Sequence, residues 1–309
     1  MENNINFDAG FKSGYIGLIG RTNVGKSTLI NKILNKNVVI TSDKAQTTRS
    51  RVNCIYNTDK VQAIFVDCPG FFKPRNLLGE KLNGIIYEVL GDVDTIALMV
   101  DIFGGIGPGD RFVFEQIRKR RNPKFLVLNK IDLFKEPEKG LIKERADEIV
   151  REFDFFDDVI PISAFTGENI DLLLSRFFAT LPEGPKYFPD GIITDMPVDK
   201  LIAEIVREKL ANNLFEELPH SVNVEVINRE KKTTKTGKVL EKIECTIYVE
   251  KKSHKSIIIG SSGAMIKKIG ELSRMEIEEI LETKVYLQLW VKVMENWTRN
   301  SAYLDRLGY

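Results

Sequence analysis

Gly20-Arg21-Thr22-Asn23-Val24-Gly25-Lys26-Ser27 is a complete GxxxxGKS, set where an apolar run ends and a helical pattern begins. Glycine at such a turn lets backbone N–H groups point inward around a phosphate, and the positive end of the following helix faces the same anion. Gly20, Val24 and Gly25 shape the cradle, with Thr28 also among the nucleotide contacts. Lys26 reaches the β- and γ-phosphates, and the Ser27 hydroxyl is a ligand for Mg²⁺. Asp67-Cys68-Pro69-Gly70 closes a second apolar run. Its carboxylate suits Mg²⁺ through an intervening water, and the Gly70 N–H suits a γ-phosphate. Asn129-Lys130-Ile131-Asp132 follows another such run. The Asp132 carboxylate can accept hydrogen bonds from guanine N1–H and the exocyclic amine, donors that adenine does not offer. A site built on such bonds rejects the wrong base by about 10⁴-fold. Ser163-Ala164 then supplies small side chains and backbone N–H groups that could abut guanine O6.

The segment Ser42-Asp43-Lys44-Ala45-Gln46-Thr47-Thr48-Arg49 is polar and has no apolar period. A threonine hydroxyl here that reaches Mg²⁺ only when a γ-phosphate is present would act as a switch. Thr48 is the first candidate and Thr47 the second. Lys26, Thr48 and Gly70 form the catalytic set. Phe71 stands where many small GTPases carry a glutamine that orients water, so slow intrinsic hydrolysis is expected. Asn23 in a GxxNxGKS loop is the candidate ligand for K⁺, which would supply charge otherwise given by an arginine finger. The glycines of Phe103-Gly104-Gly105-Ile106-Gly107-Pro108-Gly109-Asp110 read as a structural loop with Asp110 as a helix N-cap.

These motifs need elements to hold them. Apolar runs at 15–20, 61–67, 95–101, 125–129 and 159–163 read as strands covered on both faces. Helical spacing occupies 26–34, 110–120, 141–153 and 170–180, which gives an α/β doubly wound sheet. Pro182, Pro185, Pro189 and Pro197 then crowd a stretch that can neither continue a helix nor sit in a central strand. The expected organisation is a nucleotide domain over 12–182, a Pro-rich linker over 183–197 and a second domain over 198–309. In the second, a helix (198–218), strands (221–228, 239–249), two helices around a turn, a strand (285–293) and a terminal helix give α-β-β-α-α-β.

The turn is Ile259-Gly260-Ser261-Ser262-Gly263, followed by Ile266-Lys267-Lys268. A Gly-x-x-Gly between two helices makes the clamp of a KH domain, and this element order is the type II arrangement. Glycine there lets an RNA backbone approach, an apolar groove holds unpaired nucleotides, and lysines bind phosphates without reading sequence. The formal net charge of +1 argues against a nucleic-acid partner, but it is an average. Between residues 229 and 268 there are eleven basic and four acidic side chains. Three widely spaced cysteines form no CxxC and fit a reducing cytosol rather than a disulfide framework or zinc site. No apolar run approaches a membrane span.

The chain resembles the Era family of bacterial GTPases from about Gly14 to Tyr309. The likeness lies in Ala45-Gln46-Thr47-Thr48-Arg49, Lys73-Pro74 before Leu78-Gly79-Glu80, Tyr187-Phe188-Pro189 leading to Thr194-Asp195, Leu289-Trp290-Val291-Lys292-Val293, Trp297 and Leu307-Gly308-Tyr309. The resemblance implies GTP hydrolysis coupled to binding the 3′ end of 16S ribosomal RNA during assembly of the 30S subunit. It also implies a cytoplasmic monomer with peripheral association to the inner membrane. Thr22 stands where the family usually has Pro and Cys68 where it usually has Thr. Ser261-Ser262 replace the Lys often found inside the GxxG. The competing reading is an RNA-binding scaffold or chaperone with slow or incidental GTPase activity. A third, a membrane-surface GTPase, has only the basic run behind it.

Overall fold

The computed structural model describes residues 10–41, 48–214, 218–233 and 239–309. Thr47 and the rest of 42–47, together with Lys235 and Lys238, lie outside the described residues. The chain forms two compact units, the bulk of the first ending at Asp195 and that of the second starting at Met196.

The first unit is built on a six-stranded sheet of order β2-β3-β1-β4-β5-β6. Its strands are β1 (Lys12–Gly20), β2 (Val52–Asn57), β3 (Val61–Asp67), β4 (Thr95–Asp101), β5 (Lys124–Asn129) and β6 (Asp158–Pro161). All neighbours run parallel except the β2–β3 pair. Every residue of β3 and β5 is buried, which explains their largely apolar sequence. The helices are α1 (Lys26–Leu34), α2 (Leu77–Asp92), α3 (Pro108–Arg118), α4 (Gly140–Glu152) and α5 (Ile170–Thr180). Four loops matter for chemistry: those after β1, β3, β5 and β6. All leave the carboxyl ends of parallel strands, where open α/β sheets bind their ligands.

One local detail departs from the sequence expectation. Asp110 is not the N-cap of α3; Gly107 is, and Asp110 Oδ2 reaches back to accept the Gly107 N–H at 2.9 Å. Residues 183–195 form an extended strap hydrogen-bonded along the first unit. Gln62 is fully buried and holds it at both ends of its amide: its Oε1 accepts Tyr187 N–H (2.6 Å) and Phe188 N–H (3.0 Å), and its Nε2 donates to Phe188 O (2.8 Å). Asp195 then accepts from Asn53 N and Nδ2 at 3.0 and 2.7 Å.

The second unit carries α6 (Val198–Asn213), β7 (Asn223–Thr233), β8 (Val239–Val249), α7 (Lys252–Ile259), α8 (Ala264–Leu281), β9 (Lys284–Val293) and the short α9 (Ser301–Arg306). β8 is central, antiparallel to β7 and parallel to β9. Ile243, Cys245, Ile247 and Val249 of β8 point to one face. There they join Ile205, Val206 and Leu210 of α6, Ile258 of α7 and Ile269 and Ile277 of α8 in a single core. Trp297 is fully buried and donates its indole N–H to Ser221 O at 3.1 Å.

Candidate functional site

The GxxxxGKS loop is shaped by positions that exclude a side chain. Gly20 has φ +155°, and a Cβ there would sit 2.4 Å from Met99 O. Gly25 has φ +100°, and its Cβ would meet Asn129 Nδ2 at 2.3 Å. Asn129 is the tie between distant loops: its Nδ2 donates to Val24 O (2.7 Å) and its Oδ1 accepts Ala164 N–H (2.9 Å). One buried amide thus fixes the phosphate loop to the loop after β6. Lys26 heads α1, buried, with its ammonium donating to Arg21 O at 3.0 Å. Burial lowers its pKa, and Cys68 and Asp67 oppose that shift. Thr28 is half-buried on the first turn of α1, and Asn23 is exposed, with φ +65°.

Ser27, Thr48 and Asp67 converge. Asp67 Oδ2 accepts from Ser27 Oγ at 3.0 Å and from Thr48 Oγ1 at 3.1 Å, and the two hydroxyls lie 3.3 Å apart. Burial raises the Asp67 pKa, while Lys26 and the two hydroxyl hydrogen bonds pull it down. Its other oxygen, Oδ1, is buried without a hydrogen-bond partner among the described residues. Two hydroxyls and a carboxylate with a spare buried oxygen are a hard, all-oxygen donor set, which fits Mg²⁺. A divalent cation at that point would also favour the ionised carboxylate.

Gly70 lies against the phosphate loop, and Phe71 N–H donates to Gly20 O at 3.0 Å. The Phe71 ring turns away into the core, edge-on to Tyr87 and Phe112 with centroids 5.6 and 6.0 Å apart. It therefore has neither the chemistry nor the direction to hold a water. In the loop after β5, Asp132 Oδ1 accepts from Ser163 Oγ at 2.6 Å. Lys130 has φ +73° and pairs with Asp101 Oδ2 at 2.6 Å. Asp101 is a site neighbour that sequence reasoning passed over. A carboxylate ending the apolar run of β4 was the available signal.

In the second unit Gly260 (φ +74°) and Gly263 (φ +81°) bracket a turn in which Ser262 has φ +50°. A Cβ on Gly260 would sit 2.8 Å from Met265 Cβ and 2.9 Å from its N, whereas one on Gly263 would meet open space. Ser261 and Ser262 are exposed, Ile259 and Ile266 half-buried against the core, and Lys267 and Lys268 exposed on α8. The basic run is not uniform. Arg229 pairs with Glu241 and Asp199, Lys232 with Glu230, and Lys242 with Glu244. Among the described residues, Lys251, Lys252, Lys255 and Lys268 form no ion pair. Among the described residues of the run, the lysines without an ion pair therefore gather at α7 and the start of α8, beside the glycine turn.

Residues 15–130 match the family model of a 50S ribosome-binding GTPase, and residues 217–298 match that of the KH domain. GTPase Era of Alkaliphilus metalliredigens is 44% identical over 299 residues, spanning 97% of this chain and 99% of the relative. The chain belongs to the Era family of GTPases. The Era protein of a Thermoanaerobacter species is 46% identical over 300 residues, 97% of each chain. A crystal structure of Era in complex with MgGDPNP and nucleotides 1506–1542 of 16S ribosomal RNA matches with a TM-score of 0.92 at 39% identity. That match covers 97% of this chain and 99% of the other. An Aquifex aeolicus Era variant bound to GDP·AlF4⁻ matches with a TM-score of 0.91 at 38% identity, with the same coverage. As an Era-family member this chain binds guanine nucleotide and hydrolyses GTP, and its α-β-β-α-α-β unit is a KH domain of type II element order. No helix among the described residues is long and apolar enough to cross a membrane.

Proposed function

We propose that this chain is a GTP-controlled RNA-binding factor of small-subunit assembly, holding the 3′ end of 16S rRNA in its KH unit. The reading rests above all on one combination. A Ser27–Thr48–Asp67 oxygen cluster and a glycine clamp edged by exposed lysines occur in a chain that matches, over nearly its whole length, an Era bound to MgGDPNP and that RNA.

In the mechanism we assign, backbone N–H groups of the 20–28 loop wrap the phosphates and Lys26 donates to the β- and γ-oxygens. Water attacks the γ-phosphorus, the bond to the β–γ bridging oxygen breaks, and GDP retains that electron pair. Lys26 and the Gly70 N–H offset the charge that develops. Ser27 and Thr48 would hold Mg²⁺ directly and Asp67 through water; when bound, the ion would supply neutralisation of phosphate charge. Asn23 offers a carboxamide oxygen to K⁺, and equal turnover in NaCl and KCl would remove that part. With the Phe71 ring in the core, intrinsic turnover is slow. That placement also favours the second reading, a scaffold whose GTPase serves only as a slow timer.

Asp132 reads the guanine edge, Ser163 holds Asp132, and Asn129 and Ala164 join the base loop to the phosphate loop. Lys130 lies beside the base. Gly260, Ser261, Ser262 and Gly263 let the RNA backbone approach, Ile259 and Ile266 line the base groove, and Lys267 and Lys268 meet phosphates. Thr48 engages the γ-phosphate state, hydrolysis releases it, and RNA affinity follows. We place this activity in the cytoplasm on the 30S subunit, with the protein a monomer. The lysines of α7 support peripheral contact with the membrane's cytoplasmic face. Asp132→Asn tests the base assignment: preference should move from guanosine toward xanthosine nucleotides, and unchanged GTP selectivity would overturn it.

A further inference from the structure

Phe165, at 79%, is the most exposed large apolar side chain among the described residues, yet its neighbours Ser163 and Ala164 are buried at 0% and 2%. A lone exposed phenylalanine is ordinary on a protein surface. This one stands on a closed turn attached directly to the base-reading residue. Ser163 N–H is donated to Glu168 O (3.1 Å), Gly167 N–H to Ser163 O (2.8 Å) and Thr166 N–H to Ser163 Oγ (3.0 Å). The same Ser163 hydroxyl is 2.6 Å from Asp132 Oδ1, and Ala164 N–H is held by Asn129. At its far side the turn rests on α1, since a Cβ on Gly167 would come within 2.7 Å of Lys32 Cε. The loop therefore bridges from the helix behind the phosphate loop to Asp132, with Phe165 at its tip.

Both backbone donors expected near guanine O6, on Ser163 and Ala164, are already given to protein acceptors. Phe165 N–H has no acceptor recorded among the described residues, so it is the next donor along that rim. A purine gripped at its edge by Asp132 still presents two flat faces. The Lys130 chain, fixed at its end by Asp101, is available to one of them. We infer that Phe165 is a further nucleotide-positioning residue, laying its ring against a face of the guanine base and slowing its escape. This rests on the assignment of Asp132 to guanine. It requires no rearrangement of the core, because Phe165 is 79% exposed.

The test uses the full chain and a fluorescent GDP analogue labelled on the ribose, chased with unlabelled GDP. Aromatic stacking on a base, taken at the low end of its range for so open a ring, gives F165A and F165L about fivefold faster dissociation. F165Y should restore the wild-type rate. In F165W the new indole should be quenched when GDP is added, beyond any change in wild type, whose tryptophans Trp290 and Trp297 lie in the KH unit. A wild-type dissociation rate in F165L, or no added quenching in F165W, overturns the inference. Asp132→Asn in the same assay separates the two assignments. If it leaves GDP affinity intact, the guanine site itself is misplaced and the stacking falls with it. If it moves preference to xanthosine while F165L is silent, only the stacking fails.

Discussion

Adding one methyl group at Gly70 should separate the loop after β3 from the loop after β1, the two loops we assign to the γ-phosphate. A Cβ there would lie 2.5 Å from Thr22 N and 2.7 Å from both Arg21 C and Thr22 Cα, all backbone atoms with no rotamer to yield. That is about 1 Å inside the optimal carbon contact distance. The loop must retreat by about that much, at a cost near 1–3 kcal/mol for overpacking. The Phe71 N–H to Gly20 O bond, 3.0 Å long, is strained or lost with it, adding about 1 kcal/mol. For a unit of this size the sum corresponds to a fall in Tm of about 5–10 °C. The functional effect should be larger, because moving a positioned group by 1 Å costs about 10²-fold in rate. Single-turnover phosphate release at saturating GTP reads the rate, and scanning calorimetry reads the stability. Gly84→Ala is the matched control: it lies within α2, a Cβ meets nothing within 4 Å, and helix propensity should raise stability by about 0.5–1 kcal/mol. G70A melting and hydrolysing GTP like wild type would refute the reasoning.

Other consequences are independent of that loop. Cys54, Cys68 and Cys245 are all buried, and burial pushes the Cys68 and Cys245 thiols up to about 12 and raises Cys54 as well. A raised thiol pKa keeps the unreactive protonated form at pH 8, so a colorimetric disulfide reagent should label none in the native protein and all three after unfolding; fast native labelling would contradict the burial. For RNA, K268A should lower the salt slope of single-strand binding by about 0.7. K232A, whose ammonium is 2.9 Å from Glu230, should barely change it. Equal slopes for the two variants would show that ion pairing does not decide which lysines meet phosphate.

The sequence disclosed the first unit wherever strands are covered on both faces, because β3, β4 and β5 then read as largely apolar runs. It did not disclose β2, an antiparallel edge strand whose Val-Asn-Cys-Ile-Tyr-Asn is half polar. Nor did it disclose α2, where Gly79, Gly84 and Gly91 interrupt the helical signal carried by Leu82, Ile86, Val89 and Leu90. The Gly20–Ser27, Asp67–Gly70 and Asn129–Asp132 motifs were visible as residue types. Their joints were not: Asn129 reaching Val24 and Ala164, or Gln62 clasping the 183–195 strap, are side-chain contacts across long stretches of chain that no local pattern encodes. Charge was legible only as a run along the chain. Among the described residues, Arg229, Lys231, Lys232 and Lys242 of the β7–β8 hairpin are paired, while Lys251, Lys252, Lys255 and Lys268 are not.

The central claim is that nucleotide state sets RNA affinity. Titrating the full-length protein with an RNA matching the 3′ end of 16S rRNA, in Mg·GDP and in a non-hydrolysable Mg·GTP analogue, tests it directly. The account predicts tighter binding with the analogue by about 5- to 150-fold, the usual span of a coupling free energy between two sites. Equal affinity in both states would leave a GTPase and an RNA clamp that share a chain without communicating.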